Sequence, residues 1–395
     1  MPEPLRLPTI AHLDADAFFV SVEQAINPSL RGTKCAVGGR ERGIISSASY
    51  EARACGVYTP MPTARALKVC PDLILIPHSS GNYGRVSRRM FDLCETLTPL
   101  VQRNSIDEGY MDLGPCGHRS EAELIGAVRG LQRRIWDELE IPVSMGLAGN
   151  KLVAQIASKL RKPRGFVVVP PGTEAEFLAP LPVGKLPGVG AKTEEVFVAN
   201  GLRVVSDLLR CREDDLAMLA GSGWRGLLSA ARGEDDRPVE TEEDDAKSYS
   251  QQETFAEDLP DFGAVERVAK GMLDALMAKV RADGKRVRTL TVRVRYPDFT
   301  HASQARSLAE ASDLETPFVA VLGQCLRAAW REPRPLRLVS VRLSGVEDGG
   351  GQLTLFPGDD DRRRRLAAAV DALNRGAGGG AVVHGHQLAK PRKDA

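Results

Sequence analysis

The chain has 395 residues, of which 43% are hydrophobic and 27% charged, a balance typical of a globular protein with roughly two to four domains. The formal net charge is only +1, so a surface that binds a polyanion requires charge segregated along the chain. The seven cysteines form no C-x-x-C pair, which argues against a zinc site, and their odd number favours reduced thiols in a cytosol.

The N-terminal part of the chain predicts a strand that ends in carboxylates. Residues 9–13 form a short apolar run that leads into Asp14-Ala15-Asp16, which indicates a buried strand with acids at its carboxyl end. The sequence shows no signal-peptide pattern and no apolar stretch of membrane-spanning length, so we expect no membrane partner. Further strands are expected at 35–39 and 43–48, and helices at 61–69 and 83–98.

A second acidic segment follows at residues 104–113. Asp107 and Glu108 stand at a turn before a predicted strand at 109–113. The next predicted elements are helices at 121–139 and 149–160 and strands at 142–147 and 165–169. This alternation predicts an α+β or α/β catalytic core.

The second half of the chain changes character twice. Residues 174–232 are predicted to be helical, and an acidic run then predicts a solvated, mobile linker at 234–246. A second mixed unit is expected at 247–347, with basic residues concentrated at 281–306. Its predicted elements are helices near 262–282 and 315–330 and strands at 288–296 and 336–343, and a short helix is expected in the tail at 362–374.

The candidate chemistry lies in the carboxylates. Two-metal phosphoryl transfer requires carboxylates from separate strands that converge on two Mg²⁺ ions roughly 3.5–4 Å apart. Asp14 and the pair Asp107-Glu108 supply that set, with Asp16 and Asp112 as nearby spares. The alternative is that these acids are surface turn residues, but their flanks are core-like, and an unpaired buried charge is costly.

Five segments together resemble the Y family of DNA polymerases, and within it the DinB, or DNA polymerase IV, branch. They occur in the family's order, and the resemblance covers about residues 8–345. The segments are HLDADAFFVSVE (12–23), SYEARACGVYTPMP (49–62), NSIDEGYMDL (104–113), GLAGNKLVAQIASKLRKPRG (146–165) and KLPGVG (185–190).

The resemblance implies an α+β multidomain fold, a right-hand polymerase with palm, small fingers, helical thumb and α/β little finger. It implies a DNA-dependent DNA polymerase for translesion synthesis that uses two-metal nucleotidyl transfer and has no proofreading exonuclease. The expected domains are a palm (1–17 and 81–173), fingers (18–80), a thumb with a helix-hairpin-helix (174–233), the acidic linker (234–246), a little finger (247–347) and a C-terminal tail (348–395).

The resemblance also assigns roles to individual residues. Asp14, Asp107 and Glu108 match the metal-binding carboxylates, and the Ala15 carbonyl would be a further ligand of Mg²⁺, for which Mn²⁺ can substitute. Phe19 matches the steric gate that excludes a 2′-hydroxyl. The residues matched to nucleotide binding are Phe18, Phe19, Ser47, Tyr50, Arg53 and Lys162, of which Arg and Lys suit phosphate oxygens. The residues alone leave ordinary core or surface roles open for these side chains.

Two regions are expected to contact primer-template DNA. Gly188 and Gly190 lie between predicted helices, where backbone N–H groups can point at a phosphate, although a simple helix-capping turn is the alternative. Alternating valine and arginine around 292–295 predicts a strand with one apolar and one cationic face. The expected arginine contacts are Arg286, Arg288, Arg293 and Arg295. A merely soluble sheet face is the alternative.

The tail carries a candidate anchor. The peptide Gln352-Leu353-Thr354-Leu355-Phe356 resembles the one with which bacterial polymerases bind the sliding clamp, so Gln352, Leu353, Leu355 and Phe356 are predicted to contact it. Docking of this peptide on its own domain is the alternative. The expected protein is a cytoplasmic, nucleoid-associated bacterial monomer that acts on primer-template DNA and deoxynucleoside triphosphates.

Two other functions compete with the polymerase. A non-catalytic adaptor in damage tolerance is disfavoured because all three carboxylates, Tyr50, Arg53 and Lys162 are present. A two-metal nuclease is disfavoured by the phosphate-positioning Arg and Lys on a fingers-like motif.

Overall fold

The structure is a computed structural model of the chain, and it describes residues 7–40, 42–78, 81–242, 244–349, 359–376, 382 and 385. The chain divides into two compact units, Met1–Glu243 and Asp244–Ala395. Each unit has a buried apolar core of its own.

The first unit begins with strands and helices in alternation. Through residue 95 its elements are β1 (Ile10–Ala15), α1 (Phe18–Ile26), β2 (Cys35–Gly38), β3 (Ile44–Ala48), α2 (Tyr50–Ala54), β4 (Met61–Pro62), α3 (Thr63–Val69), β5 (Ile74–Ile76) and α4 (Asn82–Glu95). They continue with β6 (Val101–Arg103), β7 (Glu108–Asp112), α5 (Glu121–Leu139), β8 (Val143–Ala148), α6 (Lys151–Leu160) and β9 (Phe166–Val168).

β1 lies at the centre of a sheet with the strand order β6-β7-β1-β8-β9. It pairs antiparallel with both β7 and β8, whereas β9 joins β8 in parallel. Every residue of β1 from Ala11 to Ala15 is buried, because both faces of the sheet are covered. Apolar side chains of α1, α4 and α5 share one core with the sheet, and α6 contributes to another. The predicted α+β core is confirmed.

A second sheet has the order β4-β3-β2-β5 and packs with α2 and α3. Its small core contains Ala36, Ile45, Met61 and Ala66. Residues 61–69 were predicted as one helix, but Met61 and Pro62 pair with β3 before α3 begins. This segment is therefore a short edge strand followed by a helix.

The region after β9 is helical, as the sequence predicted. Its helices are α7 (Glu174–Leu178), α8 (Ala191–Ala199), α9 (Val205–Arg210), α10 (Glu213–Ala220) and α11 (Trp224–Ala231). Leu178, Phe197 and Leu208 are fully buried among them, in the same apolar cluster as α6.

One acid of the predicted solvated linker is an exception, although Glu234, Asp236 and Glu240 are exposed. The Asp235 side chain is only 6% exposed. Its carboxylate accepts a hydrogen bond from the Leu152 N–H at 2.8 Å, in the first turn of α6. Lys151 Nζ donates to the Pro238 carbonyl at 2.9 Å. Helix N-termini leave N–H groups without partners, and here an acid from the segment supplies one.

The second unit is a sheet covered by helices. Its elements are β10 (Ser248–Leu259), α12 (Phe262–Ala282), β11 (Lys285–Arg295), β12 (His301–Ser312), α13 (Thr316–Ala329), β13 (Leu336–Asp348) and α14 (Asp359–Gly376). The strand order is β10-β13-β11-β12. Val292 and Val294 are fully buried against α12 and α13, whereas Arg293 is exposed, so the predicted alternation is confirmed. β10 and β12 were not predicted from the sequence, and β13 runs five residues beyond its predicted end at 343.

Ion pairs attach α14 to the rest of this unit. The Arg281 guanidinium donates to both oxygens of Asp371 at 2.7 and 3.1 Å. It also lies 2.6 Å from Glu315 Oε1. Arg364 Nε donates to Asp313 at 3.1 Å. Bidentate pairs of this kind are geometrically specific and fix the helix orientation within the unit.

Candidate active site

Asp14 and Glu108 stand opposite each other at one end of the first sheet. Asp14 lies near the carboxyl end of β1 and Glu108 begins β7, and the antiparallel pairing makes them register partners. Asp107 is held beside them, because its backbone carbonyl accepts a hydrogen bond from the Ala15 N–H at 2.9 Å. The structure therefore brings the predicted metal-ligand residues together at one end of the sheet.

Two lysines contact the carboxylate pair. Lys162 donates a hydrogen bond to Asp14 Oδ1. Lys159 Nζ lies 2.8 Å from Glu108 Oε2 and 3.8 Å from Asp14 Oδ2. Lys159 was not singled out from the sequence, although its place three residues before Lys162, near the end of a predicted helix, was a signal for it.

The pKa values of the two carboxylates are shifted in opposite directions. Burial raises the pKa of Asp14 to about 6, although Lys162 and Lys159 oppose that shift. Burial acts in the same direction on Glu108, but the hydrogen bond from Lys159 and its positive charge outweigh it and lower the pKa of that carboxyl. The site is thus a partly buried concentration of negative charge that favours cations.

The Asp107 side chain faces a different partner. Its carboxylate accepts a hydrogen bond from the Ser105 hydroxyl in the turn before β7. Across the described ranges, no group of three or more His, Cys, Asp or Glu side chains forms a ready-made metal cage. Mg²⁺ tolerates such a partial set because it keeps several waters and takes ligands from substrate phosphates.

The predicted spare ligands, Asp16 and Asp112, were wrong for that role. Asp16 is fully buried, and its carboxylate accepts hydrogen bonds from the Ser144 hydroxyl at 2.9 and 3.0 Å and from the Arg164 N–H at 2.7 Å. Asp112 lies at the far end of β7 from Glu108. Asp16 instead holds the turn after α6, which carries the Lys162 side chain.

His12 is a buried residue of this site that was not predicted from the sequence. Its Nδ1 lies 2.8 Å from Ser158 Oγ, and that hydroxyl oxygen also lies 2.8 Å from the Gln155 carbonyl oxygen. His12 Nε2 has no hydrogen-bond partner among the described residues, and it lies 3.9 Å from Glu108 Oε2. Burial lowers the pKa of His12 to about 3, so it is neutral. His12 lies two residues before Asp14, so both side chains lie on the same face of β1, and this spacing was the available sequence signal.

Three of the predicted nucleotide-binding side chains lie on β3 and α2, namely Ser47, Tyr50 and Arg53. The hydroxyls of Ser47 and Tyr50 are buried and have no hydrogen-bond partner among the described residues. Burial, and then the charge of Asp16, raises the pKa of Tyr50. Arg53 is exposed, and its guanidinium lies 4.8 Å from the Tyr50 ring centroid. Because these two buried hydroxyls make no hydrogen bond among the described residues, they are available to bind a ligand.

Phe18 and Phe19 begin α1 and differ in exposure. Phe18 is 3% exposed and belongs to the core, so its side chain cannot contact a nucleotide, and only its backbone remains for the predicted role. Phe19 is half-buried, with its ring centroid 4.7 Å from that of Tyr83 and 5.4 Å from that of His78. These neighbours fix the orientation of the Phe19 ring.

The predicted DNA contacts fall in both units. In the first, Gly188 has a φ of +89°, which glycine adopts without strain, and Gly190 precedes the first turn of α8. In the second, the exposed Arg293 of β11 lies between Ser303 and Ser340 of the neighbouring strands. Arg342, which is also exposed, is the partner of Thr291 and extends this polar face, although it was not singled out from the sequence.

Two residues of the basic stretch at 281–306 are neutralised. Arg281 is engaged by Asp371 and Glu315, and Lys285 lies 2.7 Å from both Asp245 and Asp348. The four arginines predicted to contact DNA lie on β11: Arg286, Arg288, Arg293 and Arg295. The predicted clamp-binding residues Gln352, Leu353, Leu355 and Phe356 lie outside the described residues.

Three family models match the chain along most of its length. The impB/mucB/samB family model matches residues 13–159, the family's HHH-motif model matches residues 171–202, and its C-terminal domain model matches residues 246–355. The first match contains the whole carboxylate site.

Individual relatives agree with the family models. The chain is 68% identical to the DNA polymerase IV of Opitutus terrae over 385 residues, which cover 97% of this chain and 98% of that protein. It resembles the solved Y-family DNA polymerase chimera Dbh-Dpo4(243-245)-Dbh, with a TM-score of 0.77 and 25% identity over 86% of this chain and 99% of the chimera. An insertion ternary complex of Dbh DNA polymerase matches with a TM-score of 0.62, also at 25% identity, over 86% and 99% of the two chains.

The chain belongs to the impB/mucB/samB family of Y-family DNA polymerases, in its DinB-like branch. Its architecture is that of a right-hand polymerase with palm, fingers, thumb and little finger. It is a translesion DNA-directed DNA polymerase that acts on DNA and nucleotides and requires a divalent metal, and the adaptor alternative is not favoured. No helix in the described part of the chain has both the length and the apolar character needed to cross a bilayer.

Proposed function

We propose that this polymerase binds two Mg²⁺ ions through Asp14, Asp107, Glu108 and the Ala15 carbonyl, and that Mn²⁺ can substitute. The observation that carries the proposal is the register pairing of Asp14 with Glu108, which places two carboxylates from separate strands at one edge. Their hard oxygen donors suit Mg²⁺, and the buried negative charge at Asp14 favours a cation there. When bound, the metal would supply activation of the attacking oxygen and stabilisation of the leaving one.

The protein side chains contribute position and charge. Asp16 holds the turn that carries Lys162, so the Lys162 ammonium remains at the edge where the triphosphate binds. Arg53 offers a planar fork to phosphate oxygens, and Lys162 offers a point charge. Both groups stabilise the negative charge that develops on the leaving pyrophosphate.

The nucleotide is proposed to bind along α1 and α2. The buried hydroxyls of Ser47 and Tyr50, which lack partners among the described residues, support contacts with the triphosphate. The Phe18 backbone N–H lies at the start of α1, where helix geometry leaves donors available. Phe19 is proposed as the steric gate, because its ring is only half-buried and is fixed by Tyr83 and His78.

The DNA duplex is proposed to be bound through its backbone. Gly188 and Gly190 place N–H groups at the start of α8, and such contacts are independent of sequence. Arg286, Arg288, Arg293 and Arg295 of β11 are proposed to contact phosphates of the duplex. We also propose that the chain divides into palm, fingers, thumb, linker and little finger, with the little finger at 247–347.

The tail and the cellular context complete the proposal. Gln352, Leu353, Leu355 and Phe356 are proposed to bind the sliding clamp, because their peptide resembles the one with which bacterial polymerases bind it. We further propose a monomer that works in the bacterial cytoplasm, at the nucleoid.

Primer extension with Glu108→Ala tests the metal assignment, and Asp112→Ala is the matched control on the same strand. We expect Glu108→Ala to abolish extension in Mg²⁺ while its primer-template Kd stays near the wild-type value. Asp112→Ala should extend, because Asp112 lies at the other end of β7. Near-wild-type extension by Glu108→Ala would contradict the proposal.

A further inference from the structure

Lys159 has no part in the proposed function, yet its ammonium lies between two of the proposed metal ligands. Nζ is 2.8 Å from Glu108 Oε2 and 3.8 Å from Asp14 Oδ2. Lys162 contacts the other oxygen of Asp14, Oδ1. The two lysines therefore bind different oxygens of the carboxylate pair.

The position of Lys159 follows from the packing of α6. The residue lies in the last turn of α6, directly after Ser158, which is bonded to the buried His12. Its backbone is thereby fixed against β1, whereas its side chain is 42% exposed. A lysine has a flexible four-carbon stem, so the ammonium can withdraw into solvent without moving the helix.

A divalent ion on these ligands would bind oxygens of the same two carboxylates that Lys159 contacts. Mg²⁺ binds carboxylate oxygens at about 2.0–2.1 Å, so an ion on Glu108 Oε2 would lie less than about 5 Å from an ammonium that stays on that oxygen. Two positive charges repel at that distance. The contact that stabilises Glu108 as an anion therefore opposes metal entry.

We propose that Lys159 is a positioning residue whose ammonium competes with the divalent metal for Glu108 and Asp14. It holds the two carboxylates together as anions until a metal ion replaces it. An incoming triphosphate contributes negative charge, which lowers the cost of placing metal and ammonium at the same edge. Lys159 thus couples tight metal binding to the arrival of the nucleotide. This inference rests on the proposed metal assignment.

The test is a Mn²⁺ titration of the full chain without DNA or nucleotide, with free Mn²⁺ measured by electron paramagnetic resonance. Lys159→Gln should bind Mn²⁺ with a Kd up to roughly fivefold lower than wild type, the range expected for loss of a partly exposed ion pair. Lys159→Arg keeps the cation and should bind close to wild type. Lys68→Gln, at an exposed site on α3, controls for the lost net charge and should change nothing.

A second variant separates this inference from the assignment on which it rests. Asp14→Asn should lose most Mn²⁺ binding. If Asp14→Asn binds Mn²⁺ like wild type, the metal assignment itself is wrong. If Asp14→Asn loses binding while Lys159→Gln binds no more tightly than wild type, the competition is refuted and the assignment stands. A fall in the Mg²⁺ concentration for half-maximal extension by Lys159→Gln would support the competition independently.

Discussion

A single methyl group added at Gly146 should disturb both the fold and the end of the first sheet that carries the carboxylates. It lies on β8 and pairs with His12 of β1. A Cβ at this position would lie 2.1 Å from the Ala154 carbonyl oxygen, 2.6 Å from the Ser158 nitrogen and 2.9 Å from the Ala157 Cβ. The first two atoms are backbone atoms of α6, so no side-chain rotation relieves the contacts.

The expected cost follows from these distances. Overpacking a core position typically costs about 1–3 kcal/mol, and here a whole helix must shift by roughly an ångström, so we expect a loss of about 2–4 kcal/mol in unfolding free energy. The shift would move Ser158 away from His12 and Lys159 away from Glu108. Gly146→Ala should therefore also bind Mn²⁺ with altered affinity and extend primers more slowly.

Urea denaturation followed by circular dichroism measures the effect, and Gly126→Ala is the matched control. Gly126 lies within α5, and a methyl group added there would meet no heavy atom of the described residues within 4 Å beyond its own helix. Alanine should therefore stabilise the protein by about 0.5–1 kcal/mol. Equal stability of Gly146→Ala and wild type would refute the packing argument. A stable variant with normal Mn²⁺ binding would show that α6 does not position the site.

Two further predictions concern the sugar and the clamp. Phe19→Ala should admit ribonucleotides, because its fixed ring is the bulk that excludes a 2′-hydroxyl; steady-state incorporation of both nucleotide types measures this, and unchanged discrimination would place the gate elsewhere. Changing Leu355 and Phe356 to alanine should weaken clamp binding and reduce clamp-stimulated extension relative to clamp-free extension by the same variant. Burial of each large side chain contributes about 1.5–3 kcal/mol before ordering costs, so wild-type clamp affinity in the double variant would contradict the assignment.

The sequence predicted helices better than edge strands, for a physical reason. The helix expected at 121–139 has the bounds of α5, because its buried Leu124, Val128, Leu131 and Ile135 recur with helical spacing. β10 and β12 were missed because they lie at the two edges of their sheet and most of their residues are exposed. Without a buried face, a strand has no alternating pattern to detect.

Part of the candidate site could also be predicted from the sequence, and part could not. The pattern of an apolar run ending in acids was enough to single out Asp14, and the apolar flanks singled out Glu108. The sequence left Asp112 as a spare ligand, because residues four apart along a strand lie on the same face, whereas the structure places Glu108 and Asp112 at opposite ends of β7. Lys159 required the placement of α6 over β1, which depends on tertiary packing and is not a local property.

The raised pKa of Asp14 predicts how metal binding depends on pH. Burial raises this pKa from an ordinary value near 3.8 to about 6. The folded protein therefore binds a proton at Asp14 between about pH 4 and 6 that the unfolded chain releases, so this group contributes less stability as pH rises through that window. The ionised carboxylate is the form that binds metal. The pKa of Glu108 is shifted in the opposite direction, since the hydrogen bond and charge of Lys159 lower it, and His12, with a pKa of about 3, remains neutral.

Mn²⁺ affinity should consequently fall as pH decreases below about 6, by roughly tenfold per unit for one linked proton. Titrations of the wild-type chain at half-unit steps from about pH 7.5 to about pH 5 measure this directly. Lys162→Gln should move the midpoint upward, because the Lys162 charge and hydrogen bond lower the pKa of Asp14 in the wild type. Lys68→Gln should leave the midpoint in place. Affinity that stays constant down to about pH 5 would mean that Asp14 titrates like an exposed carboxylate and that its burial does not set the charge of the site.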